Sequence, residues 1–580
     1  MEIQARSLVG GTASGELLVS DTSLSFWGGI NSEIGVIVDE HHPLRGECIT
    51  GRIFAIPSGR GSCTGSGVLL ELLLRKQAPA ALIFQHAEQI LTLGVMVARA
   101  LFDQSIPVLV LSADAFSSLR SGSTAVIIDS ALTIGHAVPP ASPSPSLTKM
   151  PRRTVQLTTK DKRMLEGAYG PAAKLALTIL VDVAEMQAAE TFLDVTQAHI
   201  DACIYIGPAS LEFAERFLSL GAKFMVPTTL NSISIDQRRW QEIGMDPAIA
   251  QEAHKLAEAY MAMGASMSFT CAPYLLDTAP KSGEHIGWAE SNAVVFANSV
   301  LGARTQKYPD FLDVAIALTG RAPAAGCHLQ EQRLPKLRIN VRQSLGADDA
   351  FYPLLGYHVG KLAGPDIPLI IGIEHASPTI SDLKAFGAAF ATTASAPMFH
   401  VQGVTPEAVN TRMANTDLPS FEVTNGDLIE CWRQLNTATE PSVGLISLGN
   451  PHFSLDEFAK LAALLTGRKK HGGVEVVVTT SRAVADDASK AGYIGDLQYF
   501  GGSVITDTCW CMLGEPVIPS NAKNIMTNSA KYAHYAPGMI QRKVHFGSLS
   551  RCIEAACSGV VTRAPPVWLR TRDLELEYTT

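Results

Sequence analysis

The segment Pro57–Gly67, PSGRGSCTGSG, places hydroxyl, thiol and glycine residues immediately before an apolar helical pattern, VLLELLLRK. Glycines let the backbone approach a ligand closely, and the first turn of a helix offers unpaired N–H groups and a partial positive charge. We therefore expect an anionic substrate group to bind here, beside Ser62, Cys63, Thr64 and Ser66. The positive potential would lower the cost of forming an alkoxide or a thiolate. A plain Gly/Ser turn is the alternative interpretation.

Cysteines and polar residues also follow several apolar, strand-like segments. Cys271 follows SMSFT, Asn450 follows VGLISLG, Cys509 follows SVITDT, and Ser529 and Lys531 follow KNIMTN. In open α/β sheets the ligand crevice lies outside the carboxyl ends of the strands, so we expect these side chains to face it. The alternative for each cysteine is a small buried hydrophobic residue, and for Lys531 a surface ion pair.

Two further thiols accompany Cys271 and Cys509. Cys327 lies in the Gly/Pro-rich loop RAPAAGCHL, and Cys511 follows Cys509 by two positions. If the strand continues, the side chains of Cys509 and Cys511 point to opposite faces; we choose Cys509 for the crevice because it follows the polar TDT. Three thiols at polar turns suggest a shared ligand, but widely separated cysteines do not by themselves specify a metal cluster.

The composition indicates a compact globular protein with several domains. The chain has 580 residues, of which 47% are hydrophobic and 17% charged. Its net charge of -9 argues against nucleic acid as a partner. The N-terminus MEIQARSLVG lacks the pattern of a signal peptide, and no apolar run is long enough to span a bilayer, so we expect a cytoplasmic protein without a membrane partner. Its ten cysteines are then thiols, not disulfides.

Strand-like segments, among them IDACIYIG, AKFMVP and SMSFT, alternate with helix-like segments along most of the chain, which indicates an α/β fold with parallel sheets. The segment from Val138 to Pro151, VPPASPSPSLTKMP, is rich in Pro and Ser and has no hydrophobic period, which is typical of a linker. We therefore predict a small N-terminal domain over residues 1–137, a linker over 138–153 and a large domain over 154–580. The small domain should be able to move against the large one.

The motifs of the chain, taken together, resemble those of the aconitase X family in the aconitase superfamily. They are GRGSCTGSG in a small N-terminal unit, followed by PTTLNSIS, SFTCAPY, GWAESNAVVFANSVLGART, FHVQGVTPEA, LGNPHFSLDE, TDTCW and TNSAKYAHYAPG. The resemblance implies an aconitase-like fold, in which a swivel domain precedes a large, multi-part α/β/α domain that binds a cluster. The one-chain form resembles members that dehydrate cis-3-hydroxy-L-proline, and two-chain archaeal members resemble mevalonate 5-phosphate dehydratase.

The resemblance therefore implies a hydro-lyase that converts cis-3-hydroxy-L-proline, a small-molecule substrate, to Δ1-pyrroline-2-carboxylate. Such a reaction needs a base for the α-proton and a Lewis acid for the β-hydroxyl. Ser62 matches the serine that acts as the base in the superfamily, and Cys63 replaces a second serine and is the rival base. No arginine follows Cys63, which argues against a tricarboxylic substrate. Lys531 completes the expected catalytic residues.

The resemblance also implies an iron–sulfur cluster as the Lewis acid. Asn450 stands where the archaeal pattern LGCPH has a cluster cysteine, which makes Cys327 the natural replacement. The expected ligands are Cys271, Cys327 and Cys509, and the expected cluster is 2Fe–2S in preference to 3Fe–4S or 4Fe–4S. Three thiolates would leave an iron site open to the departing hydroxyl.

The substrate carboxylate is expected at the helix N-terminus, near Thr64 and Ser66, together with Ser529 and Lys531. Asn450 and Asn292 are further candidate substrate contacts. Asn292 belongs to the segment Glu290–Asn292, which could equally cap the helix that follows it.

Two other functions remain open at this point. The substrate could be another hydroxy acid such as mevalonate 5-phosphate, although a phosphate needs more cationic residues than Arg52 and Arg60 near the loop. Alternatively, the chain could be a non-enzymatic, cluster-sensing or RNA-binding relative of aconitase, which its acidic balance disfavours.

Overall fold

The computed structural model describes residues 2–135, 155–342, 346–409 and 417–570. The predicted linker over 138–153 lies outside the described residues. Across these ranges, helices and mostly parallel sheets alternate, so the predicted α/β class is confirmed. None of the helices within them is long and apolar enough to cross a membrane.

Residues 2–135 form an α/β unit, the N-terminal unit. Its elements are β1 (Glu2–Gln4), β2 (Arg6–Val9), β3 (Thr12–Val19), β4 (Ile30–Asn31), β5 (Val36–Ile37), β6 (Ile53–Ile56), α1 (Gly65–Leu74), β7 (Ala81–Phe84), α2 (Ile90–Phe102), β8 (Val108–Val110), α3 (Ala113–Ser117), β9 (Thr124–Ile128) and β10 (Ala131–Ile134). Eight strands form a sheet in the order β1-β10-β9-β3-β6-β7-β8-β2, in which β3, β6, β7 and β8 are parallel. Strands β6 and β7 are apolar and buried throughout, as expected for strands covered on both faces.

Residues 155–333 form the first unit. Its elements are α4 (Thr159–Leu165), α5 (Pro171–Met186), β11 (Phe192–Asp194), β12 (Ala198–Ile200), α6 (Pro208–Ser219), β13 (Thr228–Leu230), α7 (Pro247–Ala262), β14 (Gly287–Trp288), α8 (Ser291–Phe296), α9 (Leu312–Thr319) and β15 (Arg321–Pro323). Strands β13, β12 and β14 form a parallel sheet, and β11 pairs with β15. Helix α1 packs against α6 and α2 against α5 in one shared apolar core, which joins this unit to the N-terminal unit.

Two more parallel sheets follow. The second unit, residues 337–435, contains β16 (Leu337–Val341), α10 (Phe351–Ala363), β17 (Pro368–Ile371), α11 (Ile380–Thr393), β18 (His400–Val401), β19 (Ser420–Val423) and α12 (Asn425–Leu435), with the strand order β18-β17-β16-β19. The third unit, residues 445–558, contains β20 (Leu445–Leu448), α13 (Leu455–Leu465), β21 (Glu475–Thr480), α14 (Arg482–Lys490), α15 (Tyr493–Phe500), β22 (Ser503–Thr506), β23 (Asn524–Thr527), α16 (Ala530–Ile540), β24 (Lys543–Phe546) and α17 (Leu549–Ser558), with the order β22-β21-β20-β23-β24.

Three predicted strands of the first unit are wrong. The segment AKFMVP, residues 222–227, is irregular, and β13 begins only after it, at Thr228. The segment SMSFT forms only a single bridge, between Ser266 and Thr229. The segment IDACIYIG was expected to be a strand from Ile200 onward, but β12 ends at that residue. The strand stops because the carboxylate of Asp313 accepts the backbone N–H groups of Asp201 and Ala202, which are no longer available to a neighbouring strand.

Candidate active site

The glycine-rich loop connects β6 to α1 and is buried against the first unit. The Asp310 N–H donates to the Cys63 carbonyl over 3.3 Å. A Cβ atom at Gly67 would lie 2.6 Å from Ile206 Cδ1, so this glycine allows the two units to pack closely. The four predicted ligand-binding residues of the loop are each no more than 4% exposed: Ser62, Cys63, Thr64 and Ser66.

The Ser62 hydroxyl faces a small pocket and is hydrogen-bonded to Thr64. Ser62 Oγ lies 2.9 Å from Thr64 Oγ1 and accepts the Thr64 N–H over 3.3 Å. Thr64 Oγ1 in turn donates to Asp201 Oδ2 over 3.2 Å. Ser62 and Thr64 both line the pocket, so the loop delivers two of its predicted site residues there.

The described residues that line this pocket do not include Ser66 or Cys63. The Ser66 hydroxyl donates to the carbonyls of Cys63 and Asp310, over 3.0 and 3.3 Å, and so serves the packing of the loop. Burial raises the pKa of the Cys63 thiol well above its ordinary value, which keeps the thiol protonated. Of these two candidate bases, Ser62 therefore lies at the pocket, whereas Cys63 is not among its described lining residues.

Three thiols meet at the same pocket: Cys271, Cys509 and Cys511. Contact with the Cys271 thiol raises the pKa of Cys509, and Cys509 raises the pKa of Cys511. Asn450 Nδ2 donates to Cys509 Sγ over 3.3 Å and to Cys511 Sγ over 3.2 Å. The His452 N–H donates to Cys271 Sγ over 3.3 Å. Each sulfur atom thus accepts a hydrogen bond from a neighbouring N–H group, as iron-ligating thiolates commonly do.

The structure brings Cys511, and not Cys327, to this group. A 3₁₀ turn over Trp510–Met512 replaces the expected continuation of the strand after Cys509, so the alternation of side chains does not hold and both thiols reach the pocket. Cys327 lies in a different 3₁₀ turn and packs against Ile367 and Met398. Cys511 therefore lies with Cys271 and Cys509, where Cys327 was expected.

Asn450, Asn292 and Ser529, which were expected to bind substrate, make hydrogen bonds within the protein. The side-chain amide of Asn450 donates hydrogen bonds to two thiols through Nδ2, and its Oδ1 is buried without a hydrogen-bond partner. Asn292 Nδ2 donates to the Cys271 carbonyl over 3.0 Å, and its Oδ1 accepts the Tyr274 hydroxyl over 2.9 Å. The Ser529 hydroxyl caps α16. These three residues therefore fix the frame of the site.

An ion pair between Lys531 and Glu290 also lines the pocket. Lys531 Nζ donates to Glu290 Oε1 over 3.0 Å, and both side chains are less than 10% exposed. Burial alone would raise the pKa of Glu290, but the charge of Lys531 and the hydrogen bonds of Asn292 and Lys531 lower it. Burial likewise opposes the charged form of Lys531, and the Glu290 charge raises the Lys531 pKa. The pocket therefore presents one positive and one negative group.

Other cations near the loop are engaged elsewhere. Lys307 Nζ donates to the carbonyls of Ala391 and Ala394. The Arg60 guanidinium pairs with Asp39 at 2.8 Å. Arg52 pairs with the glutamates at 47 and 16 on an exposed face. Among the described residues that line the pocket, Lys531 is the single cation.

Sequence reasoning missed the buried carboxylates behind the loop, Asp201, Asp310 and Asp313. Asp201 directly follows the apolar end of β12, which is the same signal that singled out Asn450 and Cys509. Asp201 was not recognised as a residue at a strand end because the predicted strand continued through it. Glu290 was considered only as a helix cap, and its Oε1 does accept the Asn292 N–H over 3.4 Å in addition to its bond with Lys531.

A wider cavity of about 320 Å³ adjoins the pocket. The two share Trp27, Cys511 and Met512. Its other walls are largely apolar, with Ile206 and Met245 among them. The wider cavity therefore borders the group of thiols at Cys511.

Four family models match the chain in sequence order. They are described as the aconitase X swivel domain (residues 2–135), first domain (154–331), second domain (335–433) and third domain (443–558). These ranges follow the N-terminal, first, second and third units of the structure.

Three relatives and one solved structure are similar to the chain. A cis-3-hydroxy-L-proline dehydratase of Hypocrea jecorina is 52% identical over 95% of this chain and 94% of its own length. The Pseudomonas aeruginosa protein of the same name is 50% identical over 98% of both chains. A phosphomevalonate dehydratase large subunit of Methanothermobacter thermautotrophicus is 38% identical over 66% of this chain and 94% of its own. The crystal structure of Thermococcus kodakaraensis aconitase X in its holo-form matches with a TM-score of 0.63 and 32% identity, over 69% of this chain and all of that one.

Proposed function

The chain belongs to the aconitase X family, and on this premise we propose that it dehydrates cis-3-hydroxy-L-proline to Δ1-pyrroline-2-carboxylate. Dehydratases are hydro-lyases, so the protein is a carbon–oxygen lyase. Two relatives that match along nearly the whole chain carry the name of this activity. The observation that carries the proposal is the convergence of the Ser62 hydroxyl, three thiols and the Lys531–Glu290 pair on one pocket.

Ser62 is the proposed base for the hydrogen on C2 of the substrate. In the cis isomer the carboxylate and the hydroxyl share one face of the ring, so the C2 hydrogen and the C3 hydroxyl lie on opposite faces. Elimination therefore needs a base and an acceptor for the hydroxyl that approach from different sides. The N-terminal unit supplies Ser62, whereas the first and third units supply the thiols, which supports this division of roles.

The Lys531–Glu290 pair suits a zwitterionic amino acid. A proline-type substrate carries a carboxylate, which Lys531 can bind, and a secondary ammonium group, which Glu290 can bind. Both groups are already paired with each other in a buried setting, so an incoming zwitterion exchanges one set of ion pairs for another without leaving a buried charge alone. This complementarity supports an amino acid substrate.

The thiols fit an iron–sulfur cluster, the cofactor typical of aconitase-family enzymes. Cys271, Cys509 and Cys511 would hold it, with Asn450 Nδ2 and the His452 N–H directed at the sulfur atoms. Over the described ranges, no three His, Cys, Asp or Glu side chains are arranged to hold a single metal ion, but a cluster spreads its thiolates over several irons. When bound, the cluster supplies a Lewis acid that polarises the C3–oxygen bond. We propose the 2Fe–2S form, in which three thiolates leave one terminal position open.

Mevalonate 5-phosphate is the less favoured substrate. A phosphate carries more than one negative charge at neutral pH, yet the one cation among the described pocket residues is Lys531, which Glu290 already neutralises. The phosphomevalonate relative also matches at lower identity than the two hydroxyproline relatives.

A substrate panel tests the proposal. Anaerobically purified protein is incubated with cis- and trans-3-hydroxy-L-proline, cis- and trans-4-hydroxy-L-proline and mevalonate 5-phosphate, and the products are followed by NMR. We expect loss of cis-3-hydroxy-L-proline with the appearance of Δ1-pyrroline-2-carboxylate. Turnover of mevalonate 5-phosphate without turnover of cis-3-hydroxy-L-proline would contradict the proposal.

A further inference from the structure

A chain of hydrogen bonds runs from the Ser62 hydroxyl into the protein interior. Ser62 Oγ lies 2.9 Å from Thr64 Oγ1, and Thr64 Oγ1 donates to Asp201 Oδ2 over 3.2 Å. When Asp201 is a carboxylate, it accepts the Thr64 proton, and Thr64 Oγ1 is then the acceptor for the Ser62 hydroxyl. A serine hydroxyl is too weakly acidic to lose its proton unaided, so a serine base needs a group that receives this proton.

Asp201 and Asp310 are neighbouring carboxyl groups, and the residues around them favour ionisation of Asp201 over ionisation of Asp310. Asp201 is fully buried, and Asn231 Nδ2 donates to its Oδ1. Asp310 is the neighbouring carboxyl group, and burial together with the charge of Asp201 raises the Asp310 pKa well above its ordinary value. Two adjacent carboxyl groups share one proton, and Asp310 holds it more firmly. Asp313 does not compete, because its Oδ2 accepts backbone N–H groups.

We propose that Thr64 and Asp201 form a proton relay that activates Ser62 as the base. This inference rests on the proposed function, in which Ser62 removes the C2 hydrogen of the substrate. Both residues act through Ser62 and are therefore positioning residues. The role differs from the one expected for Thr64 from the sequence, which was a direct contact with substrate.

Removal of the C2 hydrogen shifts one proton at each step of the relay, from C2 to Ser62, from Ser62 to Thr64 and from Thr64 to Asp201. The C2–H bond breaks, and its proton forms a new O–H bond at Ser62 while the Ser62 proton moves to Thr64 Oγ1 and the Thr64 proton moves to Asp201 Oδ2. The electron pair left on C2 forms the C2=C3 bond as the C3–O bond breaks and the oxygen leaves with its electrons. The departing hydroxide becomes water by taking up one proton, which balances the proton that Asp201 gives back as the relay returns to its starting state. The resulting enamine becomes Δ1-pyrroline-2-carboxylate when its nitrogen loses a proton and C3 gains one, so that a C2=N bond replaces the C2=C3 bond.

The ionisation of Asp201 gives the relay a dependence on pH. Burial, followed by the charges of Glu290 and Asp313, raises the Asp201 pKa to about 8. The titratable groups that face Asp201 are Glu290, Asp310, Asp313, and the thiols of Cys63 and Cys203. Since the relay requires the carboxylate, turnover is present above this pKa and is lost as the pH falls through it. A base with a pKa near the working pH is well matched to proton transfer.

Isosteric variants of Thr64 test the relay. Thr64→Val removes the hydroxyl but keeps the shape, and we expect kcat to fall roughly a hundredfold with KM unchanged, because substrate contacts remain. Exchange of the C2 hydrogen with deuterium from heavy water should slow by the same factor. Thr64→Ser should restore both rates. Thr92→Val is the matched control, because Thr92 is also a buried threonine of the N-terminal unit, and its hydroxyl donates to the Glu88 carbonyl.

The pH dependence of kcat is a second measurement. A purely structural role of Asp201 would not change it. Wild-type kcat should rise through a pH of about 8, and Asp201→Asn should lack this rise. If wild type is active and Thr64→Val keeps the wild-type kcat, or Asp201→Asn keeps the rise, the relay is overturned while the proposed function stands. If wild type does not dehydrate cis-3-hydroxy-L-proline, the proposed function fails, and the relay fails with it.

Discussion

At the residue scale, the identity of the third thiol decides which cysteines a cluster needs. Cys511 shares the Asn450 amide with Cys509, and both line the pocket with Cys271. Cys327 is buried among apolar side chains of a separate cluster, where burial raises its thiol pKa to about 12. A protonated thiol in apolar surroundings behaves as a small hydrophobic side chain.

Serine variants of the two cysteines separate these roles. Cys511→Ser should lose visible absorption and most of its iron, and activity should fall by more than the roughly tenfold to hundredfold typical of losing a residue that only supports a ligand. Cys327→Ser is the matched control and should keep its iron and its activity. Iron and sulfide assays on anaerobically purified protein check both. Full iron content in Cys511→Ser, or its loss in Cys327→Ser, would contradict the thiol set.

At the element scale, the turn that begins α1 fixes the position of Ser62. Gly61 has φ of +78°, and a Cβ there would lie 2.5 Å from the Tyr535 hydroxyl and 2.8 Å from Ser25 Oγ. The strained conformation and the close contacts both require glycine at this position. The loop is therefore held by α16 of the third unit as well as by its own helix.

Alanine at Gly61 should displace Ser62. We expect Gly61→Ala to lose about 1–2 kcal/mol of unfolding free energy from its positive φ, and in addition to lose at least roughly a hundredfold in kcat/KM. Gly122→Ala is the control, because Gly122 has φ of +84° and open space around its Cβ position. It should lose similar stability and no activity. Denaturant unfolding and initial rates check the pair, and equal activity in both variants would show that the contacts at Gly61 do not position Ser62.

The elements that sequence could predict are those whose signal is local. Apolar runs such as LISL and EVVVTT are buried strands, and the parallel sheets follow from their alternation with helices. The turn after Cys509 depends on a distant contact instead: Trp510 is fully buried, and its Nε1–H donates to the Leu448 carbonyl over 2.7 Å. Such a contact leaves no trace in the local sequence, which is why the position of Cys511 could not be predicted.

The site residues that could be predicted are likewise those with a local signal in the sequence. Ser62, Cys271, Cys509 and Lys531 were found because they follow local apolar or glycine-rich patterns. Asp201 was not, because the end of β12 is set by Asp313, more than a hundred residues away. The ion-pair partner of Lys531 could not be predicted either, since Glu290 lies 241 positions from it in the chain.

At the scale of the whole molecule, the site exists only where the units meet. The N-terminal unit supplies Ser62, the first unit supplies Cys271 and Glu290, and the third unit supplies Cys509, Cys511 and Lys531. Arg60 ties the N-terminal unit to the others, since its guanidinium pairs with Asp39 and also donates to the Thr392 carbonyl. Docking of the N-terminal unit is therefore required for a complete site.

Separate expression of the two predicted domains tests this dependence. The apolar core shared by α1, α2, α5 and α6 should hold residues 1–137 and 154–580 together without a covalent link. We expect co-expressed halves to co-purify through a tag on one of them and to recover dehydratase activity, while the large half alone is inactive because it lacks Ser62. Soluble halves that do not associate, or an active large half, would contradict the interpretation.

The most direct test of the account follows the C2 hydrogen of cis-3-hydroxy-L-proline in heavy water, with wild type and Ser62→Ala compared by NMR at equal iron content. We predict that wild type exchanges this hydrogen and forms Δ1-pyrroline-2-carboxylate, and that Ser62→Ala binds the substrate but exchanges and turns over about a hundredfold to ten-thousandfold more slowly, the range typical of losing a general base. Exchange and turnover at the wild-type rate in Ser62→Ala would contradict the assignment of Ser62 as the base.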